Sequence, residues 1–566
     1  MNGPQPASRL LGYVTAGSLE RGLEVTLAPE TPFDDPAMVG VGYYVAIESG
    51  SLAYLGMVTD VRLASGNGIA GLPAATASPF VRKALSGAGV YGQLAVRPYV
   101  VIAARGAREA VARARTIPGH FAPVRQASRA EIAQVFGEEG DDRIYVGTPV
   151  DLEDAPICLS YDALLERSIG VFGRTGTGKS FLTRLALAEL LVRGKAQERA
   201  ARRAVGLIFD LHGDYGWEGQ ADPLSGSVKP PGLKQLFPQD VSVFALDPNA
   251  GPAKRSNAEE LHIWPGEIEP EDLDASREAL RLTEQAVMAA FELQRRYGAR
   301  WVLRVLEEAQ RDETDDGESA TSPLNALAHD LNFQPGTITN LLRVLRLLSR
   351  AAYWRAERPA HGTAKDAILG RLQSGQWVIV DFNARLVPRE AHYVFLANFL
   401  TRRIYDQWRR KAEEEPGDSP AYPPHLVVAV EEAHNFLSRQ LAGLTAFGQI
   451  ARELRKYNVT LLVIDQRPSD IDPEVMSQIA TRFVLKLDNE RDVEAVLEGQ
   501  EDRGGLKAIV NRLNTQREAV IVGHAVPVPV VARVRMWDQA EQRKIVERRR
   551  RTVGAAGATA DDLYRR

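Results

Sequence analysis

The segment GRTGTGKS at residues 173–180 constrains this chain more than any other feature of its sequence. Gly173, Gly178, Lys179 and Ser180 stand in the P-loop spacing, after the apolar run SIGVF and before a helical pattern, FLTRLALAELLV. Glycines let backbone N–H groups surround phosphates, and the start of the following helix adds positive potential. The pattern predicts a strand, a phosphate-binding turn and a helix. Lys179 would contact the β- and γ-phosphates of ATP, and Ser180 a magnesium ion.

Near-continuous apolar runs recur along the chain from the P-loop onward, with helical patterns between many of them. Runs of this kind predict a parallel sheet that is buried on both faces. We therefore predict an α/β fold, a RecA-like P-loop ATPase core with a mainly parallel sheet. The runs are SIGVF, VGLIFD, VSVFAL, WVIVDF, LVVAVE, VTLLVI, RFVLKL and EAVIVG.

The domain organisation follows from changes in these patterns. Residues 1–150 hold short β-branched and aromatic runs separated by Gly, Pro, Ser and Asp, which favours a small β-barrel or a sandwich, with a connector, and we predict the barrel. Residues 151–266 and 375–524 carry the ATPase core, and residues 267–374 interrupt it as a helical insertion. Residues 525–566 form an extended segment, a basic helix and a tail.

Local patterns add more detailed expectations. SRAEIAQVFGEE has a Ser cap and helical spacing, which predicts a short helix at the end of the barrel module. EPEDLDASREALRLTEQAVMAAFELQRRYG and TITNLLRVLRLLSRAAYW predict two long amphipathic helices in the insertion, with the polar loop DETDDGESATSP between them.

Composition limits the possible partners and location. The net charge is −4, whereas a protein that coats nucleic acid with its whole surface is usually basic, so any such contact should be local. Cys158 is the one cysteine, which excludes an intrachain disulfide and fits a reducing compartment. Neither a signal peptide nor an apolar run of about 18 residues is present, so we expect a cytoplasmic protein without membrane contact.

Carboxylates follow two of the predicted buried strands. In LVVAVEEAH we assign Glu431 to the magnesium shell and Glu432 to the attacking water, the roles that such a pair has in P-loop ATPases. The alternative is a solvated charge pair at a strand end.

In LIFDLHGDYG, Asp210 could position water or orient the base, because strand ends of an α/β sheet lie near the ligand crevice. The alternative is a turn or helix-cap acid.

Two further segments suggest contacts with phosphate. VTLLVIDQRPSD places Gln466 at a strand end, where an amide can sense the γ-phosphate, or where it simply belongs to a turn before a proline. IARELRKYN places Arg452 and Arg455 on a helix that should run to a subunit boundary, where an inserted arginine stabilises transition-state charge in a neighbour's site. A solvated basic helix face is the alternative for both arginines.

Five motifs in this order resemble the HerA family of hexameric DNA translocases, which are relatives of the FtsK DNA pumps. The motifs are GRTGTGKS, FDLHGDY, VVAVEEAH, ARELRKYNV and VIDQRPSDID. The runs LGYVTAGS and YLGMVTDV are similar to the small barrel that opens HerA proteins. This chain has Glu431 where the family often has Asp, and Thr177 where Ser is commoner, and both changes keep the chemistry.

The resemblance implies a homohexameric ring that hydrolyses ATP with Mg²⁺ between subunits and moves double-stranded DNA through its central channel. It implies that Arg455, with Arg452 second, acts in the neighbouring site, that Gln466 is the sensor, and that residues 525–566 form a brace over the adjacent subunit. The residues that match the family's ATP-binding segment are Gly173, Arg174, Thr175, Gly176, Thr177, Gly178, Lys179, Ser180 and Phe181.

The resemblance also implies a partner that docks on the barrel. That partner would be a NurA-type nuclease in DNA end resection and repair, or an anti-phage effector such as another nuclease or a sirtuin-like NAD hydrolase. Loops that face the channel should grip phosphates, and Arg385, Arg389 and Arg439 are the candidates, each of which could equally be an ordinary surface arginine.

Two other functions fit the same motifs. The chain could be an ATPase scaffold that organises and activates an effector in anti-phage defence, and DNA would then have little effect on its ATPase rate. It could also be a secretion or conjugation ATPase, although the barrel-like start and the lack of a membrane segment argue against that function.

Overall fold

The computed structural model describes residues 9–28, 39–65, 90–103, 111–218, 229–249, 253–254, 257–314, 322–360, 362–382, 389–417, 419–453, 456–514 and 517–557. Arg385 and Arg455 lie outside the described residues, as does the side chain of Arg389. Their predicted roles stay predictions.

The strands are numbered in chain order through the described residues. They are β1 Leu10–Ser18, β2 Gly22–Leu27, β3 Tyr44–Ser49, β4 Leu52–Ser65, β5 Val90–Ala103, β6 Val111–Arg113, β7 Pro123–Gln126, β8 Arg143–Pro149, β9 Ile157–Ser160, β10 Ser168–Phe172, β11 Ala204–Asp210, β12 Val241–Ala245, β13 Glu259–Glu260, β14 Trp377–Asp381, β15 His425–Glu431, β16 Val459–Asp465, β17 Ile479–Val484, β18 Glu518–Gly523 and β19 Val530–Val534.

The helices are numbered in the same way. They are α1 Arg129–Phe136, α2 Tyr161–Leu165, α3 Lys179–Ala196, α4 Leu233–Leu236, α5 Pro270–Asp274, α6 Arg277–Leu280, α7 Glu284–Tyr297, α8 Trp301–Thr314, α9 Pro323–Asp330, α10 Pro335–Ser349, α11 Ala364–Gln373, α12 Arg389–Glu414, α13 His434–Leu437, α14 Ala446–Glu453, α15 Pro473–Gln478, α16 Glu490–Val496, α17 Arg503–Arg512 and α18 Gln539–Gly557.

The chain divides into two compact units. Unit 1 consists of Met1–Leu164, Val171–Lys179 and Ala480–Met536, and unit 2 of Leu165–Gly170, Ser180–Ile479 and Trp537–Arg566. The division passes between Lys179 and Ser180, so neighbouring residues of the predicted P-loop belong to different units. The domain boundaries predicted from the sequence stay predictions.

Unit 1 opens with a closed barrel of six strands. Its order is β2-β1-β7-β3-β4-β5, and β5 pairs back onto β2 in antiparallel register, while β6 pairs only with β5. Side chains that alternate along the strands fill the interior, among them Leu11, Val25, Ile47, Val58 and Leu94. Closure leaves the barrel strands without open edges, which explains how so many short strands form a stable module. The predicted small barrel is confirmed.

The helix α1 begins at the predicted Ser cap. The Ser128 hydroxyl accepts a hydrogen bond from the Glu131 backbone N–H at 3.3 Å, and the Glu131 carboxylate accepts one from the Ser128 N–H at 2.8 Å. This reciprocal arrangement satisfies two N–H groups that the helix start would otherwise leave unpaired. Arg125 adds hydrogen bonds of 2.8 and 2.9 Å to the same carboxylate, so α1 is fixed to strand β7.

The rest of unit 1 contains strands in the order β17-β18-β19-β8-β9, and each neighbouring pair is antiparallel. We predicted that RFVLKL and EAVIVG belong to a parallel sheet, and that prediction is wrong for these two runs. Their strands β17 and β18 pair antiparallel, with Phe483 opposite Ile521. An unbroken apolar run reports burial of both faces of a strand, and it does not encode the direction of the neighbouring strand.

Unit 2 contains the parallel sheet that we predicted. Its strands stand in the order β13-β12-β14-β11-β15-β16, and every pairing in this series that has a described register is parallel. Every residue of β11, β15 and β16 is buried. Because parallel strands end at the same edge, their terminal acids meet there. These acids are Asp210, Asp381, Glu431 and Asp465.

The helical insertion of unit 2 lies between β13 and β14 and contains α5 to α11. The predicted single helix over EPEDLDASREALRLTEQAVMAAFELQRRYG is wrong, because the segment forms α5, α6 and α7. Arg281 follows α6 in the left-handed region with a φ of 51°, which ends that helix. Thr283 then begins α7, since its hydroxyl accepts a hydrogen bond from the Ala286 N–H at 3.2 Å.

The basic C-terminal helix α18 is held to unit 2 by its arginines. Arg548 lies 3.1 Å from the buried carboxylate of Glu189 in α3, and Arg549 makes two hydrogen bonds of 2.8 Å to Asp240. Planar guanidinium groups suit this two-point recognition of carboxylates. The resemblance implies that residues 525–566 reach over an adjacent subunit, and in this chain Arg548 of that segment binds the chain's own helix α3. Among the described helices, none has the length and apolar character needed to cross a membrane.

Candidate functional site

The P-loop turn depends on glycine at two positions. Gly176 and Gly178 have φ values of +79° and +96°, in the left-handed region that side chains rarely adopt. The Thr177 hydroxyl donates a hydrogen bond to the Arg174 carbonyl at 2.8 Å, and the Arg174 guanidinium pairs with Asp488 at 2.8 Å. These contacts stabilise the turn within unit 1. Lys179 is the first residue of α3.

In unit 2 the same motif continues with Ser180, whose hydroxyl donates a 2.7 Å hydrogen bond to Asp214. Arg184, a buried residue of α3, donates a hydrogen bond of 2.5 Å to the Asp214 carbonyl and lies 3.5 Å from its carboxylate. The structure therefore joins the start of α3 to the loop after β11. We predicted no role for Asp214 from the sequence, although a second acid in FDLHGDYG was a usable signal.

Asp210 shapes that loop. It is fully buried at the end of β11, and its two carboxylate oxygens accept hydrogen bonds from the backbone N–H groups of Gly213, Asp214, Tyr215 and Gly216, at 2.8, 2.8, 2.8 and 3.2 Å. Burial and the nearby Glu431 carboxylate raise the pKa of Asp210, and the N–H donors oppose that rise. Four donors occupy the lone pairs of one carboxylate, so these contacts support the turn-acid interpretation rather than a position against water.

Glu431 is also buried and also bonded to this loop. Its carboxylate accepts hydrogen bonds from the Leu211 N–H at 2.9 Å, the His212 N–H at 3.3 Å and the Tyr215 hydroxyl at 3.1 Å. Tyr393 of α12 donates to its main-chain carbonyl at 2.8 Å. Burial raises the pKa of Glu431. Glu431 thus ties strand β15 to the loop that carries Asp214, and its part in a metal shell stays a prediction.

Glu432 points into different surroundings from Glu431. Its φ of 47° lies in the left-handed region, which is uncommon for a residue with a side chain and turns the chain sharply at the end of β15. Its carboxylate is partly exposed and accepts a 2.8 Å hydrogen bond from the Gln466 amide, which follows β16. The structure therefore brings together the predicted water-activating carboxylate and the predicted sensor amide.

Two histidines flank Glu432, and we did not predict either of them from the sequence. His212 Nε2 lies 3.9 Å and His434 Nδ1 lies 3.7 Å from its carboxylate oxygens. Asp465 fixes His434, because it accepts a hydrogen bond from the His434 backbone N–H at 2.7 Å and lies 3.1 Å from Nδ1. The nearby Glu432 carboxylate raises the pKa of His212. Burial lowers the pKa of His434, but Asp465, Glu432 and Asp470 together outweigh burial, so the net shift is upward.

The remaining predicted residues lie apart from this cluster or outside the described residues. Arg452 of α14 donates to the Ala442 carbonyl at 3.2 Å and lies 3.5 Å from Glu474 of α15. Within this chain its side chain therefore links α14 to α15 and to the segment before α14. The Arg184 guanidinium stacks over the Phe181 ring at 5.8 Å. Arg439 is exposed after α13. A role for any of these side chains in a neighbouring subunit or on DNA stays a prediction.

The donor set in unit 2 fits a magnesium ion. The Ser180 hydroxyl and the Asp214 carboxylate are already 2.7 Å apart, and both are oxygen ligands of the kind that Mg²⁺ prefers. Magnesium ions commonly keep several waters and take few protein ligands beside the phosphates. Ser180 would hold the ion, and Asp214 would bind one of its waters or orient the Ser180 hydroxyl.

We expect Asp214→Asn to weaken magnesium-dependent nucleotide binding by about 10- to 100-fold, because it removes the charge that orients Ser180. The amide keeps the size of the side chain, so the loop should stay folded. Titration with a fluorescent ATP analogue, in Mg²⁺ and again in EDTA, measures the effect, and the loss should appear only with Mg²⁺. The exposed Asp247→Asn is the control. If Asp214→Asn binds the nucleotide as tightly as wild type in Mg²⁺ as well as in EDTA, the assignment of Asp214 is contradicted.

We expect His434→Gln to destabilise the protein more at pH 5.5 than at pH 8.5. The folded-state pKa of His434 is raised, so its contribution is complete below the unfolded-state pKa and is lost as the pH rises through the folded-state pKa. Denaturant unfolding of both proteins at the two pH values measures the difference. Equal destabilisation at both pH values would mean that the pairing with Asp465 does not depend on charge.

Comparisons with known proteins give a consistent result. The family model described as "Helicase HerA, central domain" matches residues 144–404. The DNA double-strand break repair helicase HerA of Sulfolobus acidocaldarius is 25% identical over 421 residues, which cover 73% of this chain and 72% of that protein. HerA of Saccharolobus solfataricus is 22% identical over 429 residues, covering 74% and 73%.

Among solved structures, one similar chain is VirB4 of Thermoanaerobacter pseudethanolicus. It is 15% identical to this chain and has a TM-score of 0.44, and the match covers 71% of this chain and 99% of that one.

Proposed function

Because this chain is a HerA-type P-loop ATPase, we propose that it is a motor that couples ATP hydrolysis to movement along double-stranded DNA. The observation that carries the proposal is the contact between Glu432 and Gln466 at the ends of two neighbouring parallel strands. This contact places a partly exposed carboxylate beside an amide, in the unit that also contains Ser180 and Asp214. A motor needs such a site, because it must detect whether the γ-phosphate is present and must cleave it from ATP.

Each residue has a specific part in the proposed reaction. The backbone N–H groups of the P-loop and Lys179 bind the phosphates. Bound Mg²⁺ supplies positive charge that neutralises the β- and γ-oxygens. Glu432 accepts a proton from the attacking water and orients it in line with the γ-phosphorus. Gln466 releases or keeps its hydrogen bond to Glu432 according to whether the γ-phosphate is present.

We propose further that the chain works as a ring of six identical subunits. In that ring Arg455, with Arg452 second, would contact the γ-phosphate of the adjacent subunit and stabilise the charge of the transition state. Head-to-tail contacts would place each site against the next subunit, so hydrolysis at one site changes the contacts of its neighbour. A nuclease or a different effector protein would dock on the barrel, in DNA repair or in phage defence.

The ATPase rate of the purified protein, with and without linear duplex DNA at low and moderate salt, tests the proposal. We expect DNA to stimulate hydrolysis several-fold at low salt and less at moderate salt, because contacts with phosphate release counterions. A rate that DNA does not change at either salt concentration would favour an ATPase scaffold over a DNA motor.

A further inference from the structure

A large cleft in unit 2 lies beside the residues that follow Glu432, and the mechanism above does not use it. Its volume is about 1220 Å³, and it lies between the insertion helices α6 and α10, the start of α12, and the residues that follow Glu432. Four arginines line it, namely Arg281, Arg343, Arg346 and Arg350. We call it the arginine cleft.

The arginines are concentrated on one wall. Arg343 and Arg346 lie on α10 and Arg350 directly follows its last residue, and the spacings of three and four positions place these side chains on one face. Arg281 joins them from the turn after α6, since the Arg343 guanidinium donates 2.8 Å hydrogen bonds to the carbonyls of Leu280 and Arg281. Three carboxylates also line the cleft, and they come from other elements. They are Glu278, Glu390 and Asp470.

Two of the four arginines are free to bind a ligand. Arg343 is engaged with the end of α6, and Arg346 pairs with Glu313. Arg281 and Arg350 are exposed, and within the described part of the chain neither side chain makes a hydrogen bond or an ion pair. Exposed guanidinium groups without carboxylate partners are well suited to bind phosphate oxygens.

The segment that follows Glu432 also lines the cleft. His434 and Asn435 line the cleft, and the Asn435 backbone N–H donates a 3.0 Å hydrogen bond to the Glu432 carbonyl. A ligand in the cleft would therefore contact both the insertion and the segment that carries the water-activating carboxylate. This arrangement allows occupation of the cleft to alter the position of Glu432.

We propose that the arginine cleft binds the phosphodiester backbone of the nucleic acid, and that this contact stimulates hydrolysis through the Asn435–Glu432 segment. The inference rests on the proposed function, because it identifies the surface by which a DNA motor holds its track. Phosphate recognition by guanidinium groups carries no sequence information, as a motor that moves along any duplex requires. Arg281 and Arg350 are not among the arginines that the sequence suggested for contact with DNA, which are Arg385, Arg389 and Arg439.

The double variant Arg281→Ala/Arg350→Ala tests the proposal, since both side chains are free and their loss should leave the fold intact. The matched control is Arg295→Ala/Arg300→Ala, which removes two arginines with exposures of 76% and 75% from the insertion outside the cleft. Binding of a fluorescent duplex is measured over a range of salt concentrations, together with the ATPase rate with and without DNA.

We expect the cleft variant to bind duplex DNA about tenfold more weakly at low salt. The slope of its log affinity against log salt concentration should be shallower by about 1.8, since each of the two lost phosphate contacts contributes about 0.9. DNA stimulation of the ATPase should fall, while the rate without DNA stays at the wild-type value. The control variant should resemble wild type in all three measurements.

Three results would overturn the inference. If wild type binds and responds to DNA and the cleft variant does so equally, the cleft is not the binding surface, although the motor proposal stands. If the cleft variant binds DNA normally but loses its assembly state in sedimentation, the cleft contacts protein instead. If wild type itself neither binds nor responds to duplex DNA, the proposed function fails together with the cleft assignment.

Discussion

Glu432→Gln should bind ATP with near wild-type affinity and hydrolyse it at least about 100-fold more slowly, since loss of a general base typically costs 10²- to 10⁴-fold. The amide can still make a hydrogen bond with Gln466 but cannot accept a proton from water. Because the carboxylate is partly exposed, the substitution should leave stability nearly unchanged. Single-turnover hydrolysis and binding of a fluorescent ATP analogue measure the two properties separately.

Two comparisons make this prediction specific. Glu271→Gln, an exposed change in α5, should behave as wild type in both assays. Glu431→Gln should lower stability, because the buried Glu431 carboxylate accepts hydrogen bonds from Leu211, His212 and Tyr215. If Glu432→Gln keeps rapid turnover while Glu431→Gln loses turnover without losing stability, the two roles are assigned the wrong way round.

Asp210→Ala should lower the free energy of unfolding by about 3 kcal/mol or more, because it leaves the four backbone N–H groups of residues 213–216 without their acceptors. Each buried donor that loses its partner costs about 1–3 kcal/mol, and rearrangement of the loop recovers part of that cost. The same change should weaken nucleotide binding, since it releases Asp214 from its position against Ser180. Denaturant unfolding and nucleotide titration measure both effects.

The control for this change is Asp247→Ala, which removes a carboxylate that accepts one N–H, from Asn249 at 3.0 Å, in an exposed turn. We expect it to cost less than about 1 kcal/mol. A similar small cost for Asp210→Ala would show that the loop holds its shape without the buried carboxylate. In that case the water-positioning role that the sequence left open for Asp210 would regain support.

Much of the fold could be predicted because its signals are local. The P-loop spacing, the buried runs around Leu207 and Val428, and the Ser128 cap each involve residues close together in the chain. The order of helix breaks in the insertion could not be predicted, since helical spacing continues through the turn where Arg281 adopts a left-handed conformation. The antiparallel pairing of β17 and β18 could not be predicted either, because the burial of a strand is independent of the direction of its neighbour.

The site shows the same division. Glu432 and Gln466 follow neighbouring buried strands, so their meeting could be expected from the rule that parallel strands end at one edge. The contacts of Asp214 with Ser180 and of Tyr393 with the Glu431 carbonyl join segments that are far apart in sequence. Their side chains carry no local pattern that identifies their partners. The arginine cleft could not be predicted for the same reason. It forms where the insertion meets the residues that follow Glu432, which are far from it in sequence.

The most direct test of the motor is displacement of a third strand from duplex DNA. A labelled oligonucleotide is bound as a triplex at one end of a linear duplex, and its release is followed after addition of protein, ATP and Mg²⁺. The account predicts release by the wild-type protein and none by Glu432→Gln or without ATP. Active, DNA-stimulated hydrolysis without any release, or equal release by Glu432→Gln, would contradict the claim that hydrolysis drives movement along DNA.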